Sequence, residues 1–270
     1  MYENVDIEKV SPMMQHYLQT KNEYKDCVLF YRLGDFYELF FDDAKTVSKE
    51  LELTLTGKAC GLEERAPMCG VPFHSVDTYL TRLVSKGYKV AICEQTEDPK
   101  QAKGIVKRDV TRIVTPGTNL NMQALEETRN NYLMCIFYDS ECIGISVADV
   151  TTGDYYLTEF STIKEACDEI GKYMPSELIC NEAFTFSGVS TDDIKNRLGV
   201  YINPLDARYY DEEDCKKALI THFKVKSLIG LGLDDFGNGI VAAGALLRYL
   251  IDMQQTEIAN ITHIYPYLTS

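Results

Sequence analysis

A short run in the first part of the chain, FYRLGDFYELFFDDA at residues 30–44, sets an aromatic ring and a carboxylate two positions apart. The pair is Phe36 and Glu38, with Tyr37 between them. If the segment is extended, alternate side chains share a face, so Phe36 and Glu38 lie on the same side. A ring can stack on any nucleobase, and a carboxylate can accept a hydrogen bond from a base edge. The run is therefore a candidate probe of a base stack, although aromatic-rich runs of this kind more often belong to a core.

The distribution of charge limits where a nucleic acid could bind. The chain has a net charge of −14, which disfavours contact with phosphates. Residues 1–117 hold 16 Lys and Arg against 18 Asp and Glu, whereas residues 118–270 hold 11 against 23. Because only the first part is close to neutral, we expect nucleic-acid contact there and a spacer or protein-contact role for the second part.

Basic residues near the end of the first part are candidates for phosphate contacts. Lys107 and Arg108 follow a loop at 96–102 and form a basic cluster with Lys103 and Arg112. Side chains of this type position a protein on the nucleic-acid backbone. A solvated, charged strand edge would explain the same cluster equally well.

Hydrophobic periodicity predicts a mixed α/β first domain over residues 1–117. Cap and turn residues predict its local features. These features are a helix capped by Ser11-Pro12, a tight turn at Gly34-Asp35 between two strands, a helix that opens at Asp42 or Asp43, and a turn within PMCGVP at 67–72.

The second part of the chain predicts a different α/β domain. Residues 118–130 lack a periodic pattern and are predicted to be a linker. Residues 131–260 begin with three short strands whose connections suit an antiparallel meander, and helices then alternate with strands. This element order is that of a ribonuclease-H-like domain. Residues 261–270 show no packed element, so we expect them to be the truncated start of a further domain.

Cysteine usage and the N-terminus indicate the compartment. Nine cysteines occur without a CxxC pair, and several lie in apolar runs, namely Cys27, Cys93, Cys135 and Cys180. This usage predicts reduced, buried thiols and neither disulfides nor zinc ligands. The N-terminus lacks a signal-peptide pattern, and no run approaches ~18 apolar residues. We therefore expect a cytoplasmic protein with no membrane association.

The run at 30–44, with SPMMQHYLQTK before it and MCGVPFHSVDTYLTRLVSKGYKVAICEQTEDP and RIVTPGT after it, closely resembles the MutS family of mismatch-recognition proteins. The resemblance covers essentially the whole chain, as a mismatch-binding domain followed by a connector domain. It implies that Phe36 inserts next to a mispaired base in DNA mismatch repair and that Glu38 contacts the displaced base. It also implies that Lys58 and His74 lie near the minor groove.

The resemblance also implies partners and cofactors. Full-length family proteins are homodimeric clamps on double-stranded DNA with mismatches or small loops, and their connector domain relays conformational state and meets a MutL-type partner. Their ATPase domain, which uses ATP and magnesium, lies towards the C-terminus, and this chain has no G-x-x-x-x-G-K-[ST] motif. We therefore expect a monomeric, non-enzymatic fragment that has no cofactor of its own and binds DNA weakly when alone.

Two enzymatic alternatives compete with this interpretation. A metal-dependent nuclease on a ribonuclease-H-like fold needs converging acids, commonly with one in the first strand. The first strand, YLMCIFY, has none, and Asp139, Asp149 and Asp154 fall at strand ends and turns. A Cys-His hydrolase built on Cys69 and His74 would need a third group to orient the pair.

Overall fold

The computed structural model describes residues 2–120 and 130–268. They divide into two compact units, Met1–Thr115 and Pro116–Ser270, and each unit has a six-stranded sheet. The first unit contains α1 (Pro12–Glu23), β1 (Val28–Leu33), β2 (Phe36–Phe40), α2 (Phe41–Glu50), β3 (Thr56–Lys58), β4 (Ala66–Pro72), α3 (Val76–Ser85), β5 (Val90–Gln95) and β6 (Arg108–Val114).

The first sheet is mixed and has helices on both faces, which confirms the predicted fold class. Its strand order is β3-β4-β2-β1-β5-β6, with β1 and β5 parallel and the other pairs antiparallel. On one face α1 packs through Tyr17, whose ring centroid is 4.9 Å from that of Phe40. On the other face lies α2, where the Cys69 thiol donates to the Ala44 carbonyl at 3.6 Å.

Two local predictions for the first unit are confirmed. The hydroxyl of Ser11 accepts a hydrogen bond from the Met14 amide at 3.4 Å, and Pro12 is the first residue of α1. Gly34 has a φ of +59°, a conformation that favours glycine, and it forms the turn between β1 and β2. This turn makes Phe36 the first residue of β2.

Two other predictions differ from the structure. The second helix begins at Phe41, and the Asp43 carboxylate does not cap it. That carboxylate accepts from the Leu29 amide at 3.0 Å and pairs with Lys21 at 3.0 Å, so it braces β1. The predicted turn at 67–72 is strand β4, because β2 and β3 pair with it on both sides.

The second unit has the predicted ribonuclease-H-like order. Its strand order is β11-β10-β7-β8-β9-β12, in which β7 to β9 form an antiparallel meander and β10 and β11 run parallel to β7. Its elements are β7 (Leu133–Tyr138), β8 (Ile143–Asp149), β9 (Asp154–Phe160), α4 (Ile163–Tyr173), β10 (Glu177–Cys180), α5 (Glu182–Thr185), α6 (Thr191–Leu198), β11 (Tyr201–Pro204), α7 (Glu212–Phe223), α8 (Asn238–Gln254) and β12 (Tyr265–Pro266).

The start of the second unit differs from the expected boundary after residue 117. The Gly117 amide donates to Glu177 Oε1 at 3.0 Å, and the Thr118 carbonyl accepts from Gln254 at 2.8 Å. These contacts tie the Pro116-Gly117 pair into the second unit. Of the predicted linker at 118–130, residues 121–129 lie outside the described part of the chain.

The end of the second unit differs from the expectation for residues 261–270. Ile261 and Ile264 are buried in the core of this unit. Strand β12 pairs in parallel with β9, and the Tyr267 hydroxyl donates to Glu169 at 2.7 Å. The segment up to Tyr267 therefore packs as part of the second unit.

The predicted burial of the cysteines in the apolar runs is confirmed. All nine cysteines are free, and seven of them are buried, including Cys27, Cys93, Cys135 and Cys180. Across residues 2–120 and 130–268, no helix combines the length and apolarity that a membrane span requires.

Helix α8 is the central helix of the second unit. It lies against β7, β8 and β9 on one side and against α7 on another. Gly244 allows the approach to α7, because a Cβ atom there would lie 2.4 Å from Cys215 Cβ and 2.6 Å from Cys215 Cα. Gly171 in α4 offers a contrast, since a Cβ atom there would meet nothing within 4 Å.

We expect Gly244→Ala to lower the free energy of unfolding by about 1–3 kcal/mol, the usual effect of overpacking. Gly171→Ala is the matched control and should raise it by up to about 1 kcal/mol, because alanine favours a helix more than glycine does. Urea titration followed by tyrosine fluorescence measures both, since the chain has 18 Tyr and no Trp. Equal effects of the two substitutions would contradict the close packing of α7 on α8.

Candidate nucleic-acid interface

The ring of Phe36 lies at the surface, at the start of β2. It is 47% exposed, whereas Tyr37, Leu39, Phe40 and Phe41 in the same run are all buried. The aromatic run FYELFF is thus core in most of its length, as composition alone would suggest. Phe36 is the exception, because it is next to the turn where the sheet ends.

Glu38 shares a face with Phe36, and a glycine lies between the two side chains. Gly70 of β4 is the register partner of Glu38. A Cβ atom on Gly70 would lie 3.6 Å from Glu38 Cγ and 3.8 Å from Phe36 Cδ1. Gly70 has no positive φ, so its contribution is the space that a larger residue would fill. Sequence analysis placed Gly70 within a predicted turn at 67–72, because the pairing of β4 with β2 was not visible from the sequence.

Lys58 contacts Glu38 directly. From β3 its side chain reaches over the sheet, so that Nζ lies 3.0 Å from Glu38 Oε2 and 5.8 Å from the centroid of the Phe40 ring. The Lys58 side chain is 33% exposed and the Glu38 side chain 18% exposed. The structure thus joins two of the predicted site residues in one ion pair, which the sequence separation of 20 residues did not indicate.

Arg32, which the sequence interpretation missed, braces the turn before Phe36. Its guanidinium lies 3.7 Å from the centroid of the Phe73 ring and 3.4 Å from Glu94 Oε2. The Tyr37 hydroxyl donates to the same Glu94 carboxylate. The Phe73 amide donates to the Asp35 carbonyl at 2.8 Å, so the turn is tied to the segment after β4. The sequence could have indicated this network through the hairpin alone. If β1 and β2 are paired across the Gly34 turn, Arg32 lies opposite Tyr37.

Burial shapes the ionisation of this network. Loss of solvent raises the pKa of the Glu94 carboxyl, and the guanidinium groups of Arg32 and Arg112 oppose the rise. Burial likewise lowers the pKa of His16, with a smaller contribution from the positive charge of Arg108. The Nδ1 atom of His16 lies 2.7 Å from the Tyr31 hydroxyl.

Arg108 does not occupy the position expected for a phosphate contact. It is only 6% exposed. Its Nε donates to the Arg32 carbonyl at 2.7 Å, and its Nη1 donates to the Val106 carbonyl at 3.0 Å. Its guanidinium also lies 5.1 Å from the centroid of the Tyr31 ring. The expectation for Arg108 is therefore corrected: this side chain links β6 to β1 inside the unit.

Lys107 and His74 are both exposed, as their proposed contacts require. Lys107 precedes β6, and His74 lies in the single 3-10 turn Phe73–Ser75 that follows β4. The strand register brings both to the end of the sheet that holds Phe36, because Phe36 pairs with the last residue of β4 and β6 starts opposite the last residue of β5. Of the other basic residues in the predicted cluster, Lys103 is exposed, and Arg112 lies 3.9 Å from Asp77.

The enzymatic alternatives require metal ligands or an activated thiol. Across residues 2–120 and 130–268, no three His, Cys, Asp or Glu side chains are grouped so as to hold a metal ion. Asp149, an acid considered for the nuclease alternative, is buried, and its carboxylate accepts hydrogen bonds from the amides of Asn131 at 3.1 Å and Thr151 at 2.9 Å.

The hydrolase alternative depends on Cys69 in the first unit. Burial raises the pKa of the Cys69 thiol to about 12, which disfavours the thiolate that catalysis requires.

Comparison with known proteins agrees with this architecture. Residues 11–123 match the family profile of MutS domain I, and residues 131–265 match that of MutS domain II. A DNA mismatch repair protein MutS from Lachnoclostridium phytofermentans is 59% identical over 262 residues, which are 97% of this chain and 28% of the relative. MutS proteins from Ruminiclostridium cellulolyticum and Acetivibrio thermocellus are 49% and 50% identical, over 96% and 94% of this chain and 29% of each relative. The chain therefore spans under a third of these relatives, and with both of its units matched in order it belongs to the MutS family.

Proposed function

We propose that the first unit recognises mismatched DNA by inserting the Phe36 ring beside a mispaired base. The observation that carries this proposal is the exposure of Phe36 at the end of a sheet in which the rest of its aromatic run is buried. Insertion of an apolar ring unstacks a base step at a cost of a few kcal/mol, which the contacts of bent DNA recover. A mispaired base is already poorly stacked, so insertion there costs less than in matched DNA.

Glu38 supplies discrimination in this proposal. A carboxylate near DNA repels phosphates and so lowers affinity for every duplex. The penalty is relieved where a displaced base offers a hydrogen-bond partner, because a charged group is costly only while it is unpaired. Its place beside Phe36 over Gly70 supports this role, since both groups can meet the same base step.

Basic and polar residues around Phe36 are proposed to hold the DNA backbone. Lys107 and His74 are the exposed candidates at the same end of the sheet, whereas the ammonium of Lys58 is engaged with Glu38. Such contacts set position and orientation and carry no sequence information. Arg108 has a supporting role in the interior.

In the full-length protein, Phe36→Ala should abolish the preference for a G·T duplex over a matched duplex. The reason is that alanine cannot stack, and stacking of an aromatic ring on a base contributes roughly 1–3 kcal/mol. Fluorescence anisotropy titration of both duplexes measures the ratio of dissociation constants. Phe186→Ala is the matched control, because Phe186 lies in the second unit and is 80% exposed. A preference that survives Phe36→Ala would overturn the proposal.

Glu38→Gln should raise affinity for the matched duplex and shrink the difference between the two duplexes. Glutamine keeps the size and a hydrogen-bonding group but removes the negative charge. We expect a gain on matched DNA of roughly two- to tenfold, the range for one partly screened charge interaction. Unchanged matched affinity would count against the repulsion by Glu38.

For the second unit we propose a connector role that relays conformational state and contacts a MutL-type partner. Two observations support this: the excess of acid in residues 118–270, 23 against 11 basic residues, and two strongly exposed apolar side chains, Phe186 and Ile229. An acidic surface of this kind favours a partner with a basic surface.

The 270-residue chain, immobilised, should capture purified MutL of the same source, and capture should weaken as salt rises, because screening reduces the attraction between the two surfaces. The control for charge alone is an unrelated acidic protein that is immobilised on the same support and incubated with MutL. Failure to capture MutL at low salt would remove the partner assignment from this unit.

The remaining activities of the full-length protein are proposed by family membership. They are homodimerisation on DNA and ATP hydrolysis with magnesium. We assign both to regions of the full-length protein beyond the segment that this chain matches, which is 28% of the length of the Lachnoclostridium phytofermentans relative. A cytoplasmic location accords with the free thiols of the chain.

A further inference from the structure

On the face that carries Phe36, the carboxylate of Glu38 has a partner, because Lys58 binds one of its two oxygens. The ion pair joins Lys58 Nζ to Glu38 Oε2 at 3.0 Å. Within residues 2–120 and 130–268, the other oxygen, Oε1, accepts no hydrogen bond. The carboxylate therefore has one oxygen engaged and one available, and the charge of the pair is zero while Lys58 remains in place.

We propose that Lys58 is a specificity-determining residue that neutralises Glu38 and so limits the penalty that Glu38 imposes on matched DNA. This inference rests on the proposed function of Phe36 and Glu38. Without Lys58, the negative charge of Glu38 beside the Phe36 ring would repel phosphates at every position of a duplex. With Lys58 attached, the repulsion is weaker on matched DNA, and Oε1 is still available to a displaced base.

The surroundings of Lys58 favour this role over that of a simple phosphate contact. Its apolar stem crosses the sheet so that Nζ lies 5.8 Å from the Phe40 ring centroid, and two-thirds of the side chain is removed from solvent. An ammonium in this position is directed at Glu38 and is held by both the carboxylate and the ring face. By contrast, Lys107 and Lys103 are exposed lysines with room to follow a backbone.

The two roles predict different results for Lys58→Met, which removes the charge and keeps an apolar stem. If Lys58 neutralises Glu38, affinity for matched DNA should fall roughly two- to fivefold, the range for a partly exposed ion pair, and affinity for a G·T duplex should fall less. The preference for the mismatch should therefore rise. In a Glu38→Gln background, Lys58→Met should leave the preference unchanged, because no carboxylate charge remains to be neutralised.

If Lys58 only contacts a phosphate, Lys58→Met should weaken both duplexes equally in both backgrounds. The slope of log affinity against log salt should then become shallower by about 0.9, the effect of one lost phosphate contact. That result would overturn the inference, as would a preference that falls. The matched control is Lys25→Met, which removes one positive charge from an exposed position after α1.

A measurement without DNA separates this inference from the proposed function. In ¹⁵N-resolved NMR spectra of the 270-residue chain, the ammonium protons of Lys58 should exchange with water more slowly than those of Lys25. Glu38→Gln should remove this protection from exchange. Absence of protection in the unmodified chain would overturn the inference and leave the role of Phe36 untouched. The inference alone would also be overturned if Phe36→Ala loses the mismatch preference while Lys58→Met changes that preference equally with and without Glu38→Gln. Retention of the preference in Phe36→Ala would instead overturn the proposed function.

Discussion

Antiparallel pairing of β2 with β4 sets which side chains of the aromatic run face outward. It places Phe36 opposite Pro72 and Glu38 opposite Gly70. Because side chains alternate along a strand, a slip of one residue would bury Phe36 and expose Tyr37. The turn at Gly34 and the burial of Tyr37 and Leu39 hold the register. The exposure of Phe36 and the position of Glu38 thus depend on the core packing of the residues that alternate with them.

Charge in the first unit acts through position more than through number. Arg32 and Arg108 are counted among its basic residues, yet one stacks on Phe73 and the other donates to backbone carbonyls in the interior. Lys58 is engaged with Glu38. The number of basic residues in the first unit therefore overstates the positive charge that its surface presents.

Acidic residues of the second unit also have structural uses. Glu177 accepts from the Gly117 amide and from the Tyr249 hydroxyl, and Glu159 accepts from the amide of Gly239 at the start of α8. A carboxylate suits that last position, because the helix N-terminus carries a partial positive charge. The exposed acids at the start of α7 also have partners, since Glu212 and Glu213 both pair with Lys216.

Local patterns in the sequence were enough to predict the two α/β units, the Ser11 cap, the Gly34 turn and the ribonuclease-H-like order, because periodicity, caps and turns depend on neighbouring residues. Alternation and family resemblance also predicted that Phe36 and Glu38 share a face, as they do in the structure. The local patterns missed strand β4, the burial of Arg108 and the packing of residues 261–267, since each depends on partners distant in sequence. The contact of Lys58 with Glu38 and the space that Gly70 leaves beside them could not be predicted from the sequence, because three strands must pair before these side chains share one face.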